Sequence, residues 1–125
     1  MKEIGENLIS RADEGATLAS MVVDPSCIDT VFAIVSPDDF AFPEHQTIFR
    51  AIQRLHTNNG QSIDALILRD ELVAHGELER IGGVEYIGKI LDNVPSAANA
   101  EFYAKSVKDK SRRRRLCRAI EHMKE

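Results

Sequence analysis

A chain of 125 residues, 43% hydrophobic and 29% charged, makes one domain able to bury roughly two-thirds of its unfolded surface. No apolar run approaches the ~18 residues of a membrane span, and Met1 to Glu14 is acidic and lacks the apolar core of a signal peptide. Cys27 and Cys117 stand far apart with no C-x-x-C neighbour, too few for a disulfide framework or a zinc site, so reduced thiols and a cytoplasmic location are expected.

The net charge of −4 hides a split. From Met1 to Pro95 there are 7 basic against 16 acidic residues, a balance of −9; from Ser96 to Glu125 there are 9 against 4, a balance of +5. Such polarity suits an end-to-end assembly, a tail that meets an anionic partner, or simply a solvated helix face.

Helical spacing accounts for nearly the whole chain. After an irregular start containing Gly5 and Gly15, a short helix carries Leu18, Met21 and Val22. Asp24-Pro25, a cap followed by proline, starts the next helix, which buries Ile28, Val31 and Val35 and stops at Ser36-Pro37. Pro43 opens the clearest amphipathic helix, with Ile48, Phe49, Ile52 and Leu55 on one stripe and Gly60 as its stop. Asp64 caps the following helix, with Ile63 placed to staple onto Leu68, and Gly76 ends it after Leu72. Val84 to Val94 buries Tyr86, Ile87, Ile90 and Leu91. Pro95 then pushes Val94 out of the helical region, Ser96 offers a cap, and from about Ala97 one helix runs to the chain end.

Catalytic motifs are weak. Gly83-Val84-Glu85-Tyr86-Ile87-Gly88-Lys89 has the G-x-x-x-x-G-K spacing of a phosphate-binding loop. The match fails where the chemistry lies: Ile90 has no hydroxyl for Mg²⁺, Glu85 puts a negative charge in the cradle, and the apolar stripe requires a helix. His45, His56, His75 and His122 lack metal-ligand spacing, and His45, in a first turn, is expected to fix a loop by hydrogen bonding. No serine sits on a nucleophile-elbow pattern. Asp38-Asp39 and Glu77 with Glu79 flank helix starts, where the helix dipole alone favours acids.

The basic segment is the one candidate site. Lys105, Lys108, Lys110, Arg112, Arg113, Arg114, Arg115 and Arg118 crowd just over three helical turns. Lys108, Arg112, Arg113, Arg114, Arg115 and Arg118 are the candidate contacts to nucleic acid or an acidic partner. Across this run the apolar stripe changes face. Val107 and Leu116 are nine steps of ~100° apart, on opposite sides of a continuous helix, so either the helix breaks or its halves meet different surfaces.

The run Asn93-Val94-Pro95-Ser96-Ala97-Ala98-Asn99-Ala100, followed by Glu101-Phe102-Tyr103-Ala104, resembles the joint between head and helical hairpin in the N-terminal domain of DnaB-type replicative helicases. The likeness continues back, in order, through Gly82-Gly83-Val84-Glu85-Tyr86-Ile87, Ile63-Asp64 with Leu68 and Leu72, and Asp39-Phe40 with Pro43, His45, Ile48 and Phe49. It reaches Leu18 and Val22-Val23-Asp24-Pro25, covering roughly residues 13 to 116. No single piece is specific; the ordered set is.

Periodicity and resemblance together predict an all-α fold: an orthogonal helical bundle over 13–95, an N-terminal tail over 1–12, and a long C-terminal helix over 96–125. The resemblance makes that helix the first arm of a hairpin, truncated, since the chain ends inside a helix at Met123-Lys124-Glu125 without a capping signal. It further implies a non-catalytic assembly domain whose copies form a collar, a trimer of dimers in a hexameric parent, and which recruits primase and a helicase loader. Phe102, Tyr103, Val107, Leu116, Ile120 and Met123 become the candidate protein interface. The chain itself needs no cofactor and no metal. ATP, Mg²⁺, DNA unwinding and single-stranded DNA belong to the parent helicase's C-terminal domain. The competing reading, a small nucleic-acid-binding protein acting through its arginine helix, meets an acidic pI of about 5.6 and lacks interleaved stacking aromatics.

Overall fold

The structure, a computed structural model, describes residues 8–59, 63–92 and 96–124, through which run six α-helices and four short 3₁₀ turns, with no strand among the described residues. The expected joint at Asn93-Val94-Pro95 and the stop at Gly60 lie outside the described residues.

Helix α1 (Arg11–Val23) begins earlier than expected, so Arg11 and Ala12 belong to the head and not to a tail. The physical reason is a cap: the Ser10 side chain accepts a hydrogen bond from the Asp13 amide at 3.1 Å. Gly15 does not break this helix. It faces α5 so closely that a methyl group there would stand 3.5 Å from Ile90 Cγ2, and that packing outweighs its poor propensity.

Asp24 caps a 3₁₀ turn (Pro25–Cys27), which feeds straight into α2 (Ile28–Ile34). Val35, buried, leaves the helix in an extended conformation ahead of Pro37. A second 3₁₀ turn (Pro37–Asp39) leads to α3 (Pro43–Asn59), whose Ile48, Phe49, Ile52 and Leu55 form the expected stripe and are all buried. Asp64 caps α4 (Ala65–Ala74) by accepting from the Ile67 amide at 2.8 Å, and Ile63 and Leu68 both enter the core. At the end of α4, Gly76 has φ +67°, its N–H bonds Val73 O, and the Glu77 N–H bonds Leu72 O at 2.8 Å, a Schellman ending.

Helix α5 (Gly83–Asp92) follows the 3₁₀ turn Glu79–Ile81 and buries Ile87 and Ile90, while Tyr86 and Leu91 are half-buried. Ser96 caps a last 3₁₀ turn (Ala97–Asn99), accepting from the Ala98 amide at 3.1 Å, and α6 (Ala100–Lys124) then continues without a break. One core contains Leu18, Met21, Ile28, Phe40, Phe49, Ile52, Leu72 and Ile90, among others from every one of the six helices. Arg54 braces its far side, with Nε donating to Glu71 at 2.7 Å and Nη2 to Glu77 at 2.8 Å.

Candidate functional site

The two halves of α6 meet different surroundings. Ala100, Ala104, Val107 and Ser111, at i, i+4, i+7 and i+11, form one stripe that is buried against α1 and α2. Val107 is 2% exposed and therefore belongs to the head's core; it is not part of a free interface, contrary to expectation. Tyr103 is half-buried, whereas Phe102, Leu116, Ile120 and Met123 are 69%, 62%, 44% and 86% exposed. Leu116, Ile120 and Met123 share the side of α6 turned away from the head, as the change of face between Val107 and Leu116 requires.

Beyond Val107 the seam between α6 and the head turns polar and centres on Asp39, which is fully buried. The Asp39 carboxylate accepts from the Ser36 amide at 2.8 Å, from Ser111 Oγ at 2.7 Å, from Lys108 Nζ at 3.2 Å and from Arg115 Nη2 at 3.1 Å. Burial alone would raise its carboxyl. The hydrogen bonds from Ser36, Ser111 and Lys108, with the lysine charge, outweigh that and hold it below the ordinary aspartate range. Arg114 reaches past it to two carbonyls, Leu8 O at 2.6 Å and Asp39 O at 2.8 Å. On the neighbouring face Asp13 takes Ser106 Oγ at 2.5 Å and Lys110 Nζ at 3.3 Å.

Most of the basic cluster is thus spent inside the molecule. Of the six candidate anion contacts, Lys108, Arg114 and Arg115 lock the helix to the head, and Arg113 pairs with Asp109 one turn back at 3.2 Å. The reason is that buried carboxylates and carbonyls at the head's rim need donors, and α6 supplies them at the right spacing. Arg112 and Arg118 make no ion pair among the described residues. Sequence reasoning missed Asp39 as the anchor, reading it as an acid at a helix start. The serine-to-aspartate spacing of Ser36 and Asp39 was its one local signal.

A second buried polar cluster holds the other side of α1. His45, 0% exposed, places Nδ1 2.7 Å from Glu14 Oε1 and Nε2 2.5 Å from the Tyr86 hydroxyl, and Glu14 also accepts from the Ala41 amide at 2.7 Å. Arg11 donates to the same hydroxyl at 2.7 Å and lies 3.8 Å over the Phe42 ring. His45 therefore fixes α1, α3 and α5 together: its role is structural and made by hydrogen bonds, as expected, but it ties helices and not a loop.

Gly83 to Lys89, the string with phosphate-loop spacing, is wound into α5, where the later amides are committed to helix bonds. Among the described residues no group of three His, Cys, Asp or Glu is arranged to hold a metal, and no single helix is long and apolar enough to cross a membrane.

An all-α head with a single long helix locked across it defines a recognisable class of domain. Residues 7–109 match the family described as the DnaB-like helicase N terminal domain, and the chain belongs to that family. It is 41% identical over 105 residues to the replicative DNA helicase DnaB of Geobacillus stearothermophilus and 38% identical over 105 residues to the replicative DNA helicase DnaC of Bacillus subtilis. These matches take in 84% of this chain but 23% of either relative, so the chain spans about a quarter of their length. Among solved structures, the N-terminal domain of DnaB helicase from Mycobacterium tuberculosis superposes with a TM-score of 0.87 at 36% identity, covering 91% of this chain and 81% of that one. The corresponding domain from Helicobacter pylori, described together with its interactions with primase, shares the fold at 21% identity, with a TM-score of 0.76 over 98% of this chain and 93% of that one.

Proposed function

We propose that this chain is the non-catalytic assembly domain of a replicative helicase, pairing with copies of itself towards a hexameric collar and recruiting primase. ATP binding, Mg²⁺ and travel along single-stranded DNA in the cytoplasm would fall to a separate domain of the parent. One observation carries the reading: a helix clamped to the head by a buried carboxylate while Leu116, Ile120 and Met123 face outward, exposed among the described residues. A helix stripe of this kind is stable in water only at a cost, and a second helix laid along it removes that cost. Rigid clamping matters equally, because a swinging helix would lose its alignment entropy at each encounter.

Sedimentation velocity over a concentration series, with the Ile120→Asp variant beside it, tests the assembly half. Expected is reversible self-association that the variant weakens by more than about tenfold, the loss of one buried aliphatic anchor plus the desolvation of a charge. Calorimetric titration with the cognate primase tests the other half. A chain that stays monomeric at every concentration and gives no heat with primase would overturn the proposal.

A further inference from the structure

Past Ser111 the head-facing stripe of α6 continues, but arginines replace the apolar residues. Arg114 and Arg118 are i, i+4 neighbours, with Arg115 beside them, and all three line a cleft of about 470 Å³ between α6 and the rim formed by Ile9, Phe40, Ala41 and Gln46. Among the described residues two buried carboxylates act on them, Glu14 and Asp39, and Asp39 already serves Lys108 and Arg115. Asp38 also lines the cleft, yet its carboxylate leans 3.8 Å from Arg50, on the head. Arg118 carries no ion pair among the described residues, and Arg115 uses a single nitrogen of its fork. Burial, together with the like charges of Arg118 and Arg115, lowers the Arg114 guanidinium from its ordinary value, although Glu14 and Asp39 oppose the shift. A concave site that keeps three guanidinium groups close gains when a carboxylate or phosphate enters.

We infer that this cleft, with Arg115 and Arg118 as its open forks, is a docking site for an acidic peptide segment of a partner protein. Carboxylates are favoured over a nucleic-acid strand for two reasons. No exposed aromatic ring lines the cleft on which a base could stack; Phe40 is 1% exposed, and the exposed Phe102 lies at the other end of α6, four turns away. The head that carries the rim has 7 basic against 16 acidic residues over 1–95, a net charge that disfavours a long polyanion laid across it. The site forms within one copy of the chain, so it does not rest on the assembly reading, and neither result decides the other.

The test is fluorescence anisotropy of a labelled oligoglutamate titrated with the chain, against a labelled oligothymidylate of equal length. Arg118→Glu is compared with Lys124→Glu, which makes the same change of charge at the exposed end of α6. Expected is binding of the oligoglutamate that Arg118→Glu weakens by about tenfold or more and Lys124→Glu by less than about twofold, as charge-assisted pairs at a defined site require. Unchanged circular dichroism in both variants keeps the comparison valid, since both residues are exposed. Equal losses in the two variants would reduce the effect to net charge and overturn the inference. Tighter binding of the oligothymidylate, with the same dependence on Arg118, would replace the peptide by a nucleic-acid strand and overturn it too.

Discussion

The hydroxyl of Ser111 donates a 2.7 Å hydrogen bond to the carboxylate of Asp39 across 72 residues of sequence, and both side chains are buried. That bond, with the Lys108 and Arg115 pairs around it, decides how the long helix sits on the head. Neutralising the carboxylate leaves Lys108 and Arg115 without their counter-ion. Asp39→Asn is expected to cost about 2–3 kcal/mol in chemical denaturation, short of a fully buried pair because Lys108 and Arg115 retain access to water. A loss under about 0.5 kcal/mol would show that α6 is held by its apolar stripe alone.

The same residue sets a pH dependence. Its folded-state pKa lies below the ordinary value of 3.8, so its contribution to stability is complete above that value. It disappears as pH falls through the lowered folded value, because protonation then favours the unfolded chain. The wild-type chain should therefore lose stability on acidification over that window, and Asp39→Asn should flatten the slope there. Parallel wild-type and variant curves would assign the acid sensitivity to other carboxylates.

Ile52, 0% exposed on the α3 stripe, tests the core. Ile52→Ala should cost about 2–5 kcal/mol by lost transfer energy and an unfilled cavity. Partner binding through α6 should survive it once the folded fraction is accounted for.

Two glycines with positive φ separate strain from clash. At Gly76 (φ +67°) an added methyl group meets nothing within 4 Å, so Gly76→Ala should cost about 1–2 kcal/mol of left-handed strain alone. At Gly82 (φ +107°) it would stand 2.9 Å from Tyr86 Cβ, close to the backbone of α5. Gly82→Ala should therefore be the more destabilising of the pair by thermal denaturation, and the reverse order would refute the clash.

Nucleotide binding at Gly83–Lys89 is not expected, because the cradle would have to unwind α5 and expose Ile87 and Ile90. Calorimetry with ATP and Mg²⁺ should give no saturable heat. Micromolar affinity abolished by Lys89→Ala would contradict the helical reading.

The sequence by itself determined the helices, the caps at Asp24, Asp64 and Ser96, and the head's core. Those features are local or periodic: Asp64 caps because its side chain lies beside its own helix's first amides, and Ile48, Phe49, Ile52 and Leu55 recur at the period of the helix that buries them. It also carried the family resemblance, as an ordered set of such features. It misplaced the start of α1, where Gly15 reads as a breaker until Ile90 is seen packed against it. What only the tertiary structure decided was which charges remain available. Lys108, Arg114, Arg115 and Arg118 look alike along the chain, and all belong to one solvated basic helix on composition. Folding brings the Asp39 carboxylate under Lys108 and Arg115 and its carbonyl under Arg114, and leaves Arg118 without an ion pair among the described residues, because buried acceptors must collect donors from whatever helix crosses them. The sorting of the cluster into lock and free surface is set by contacts more than 60 residues apart, and no local pattern encodes it.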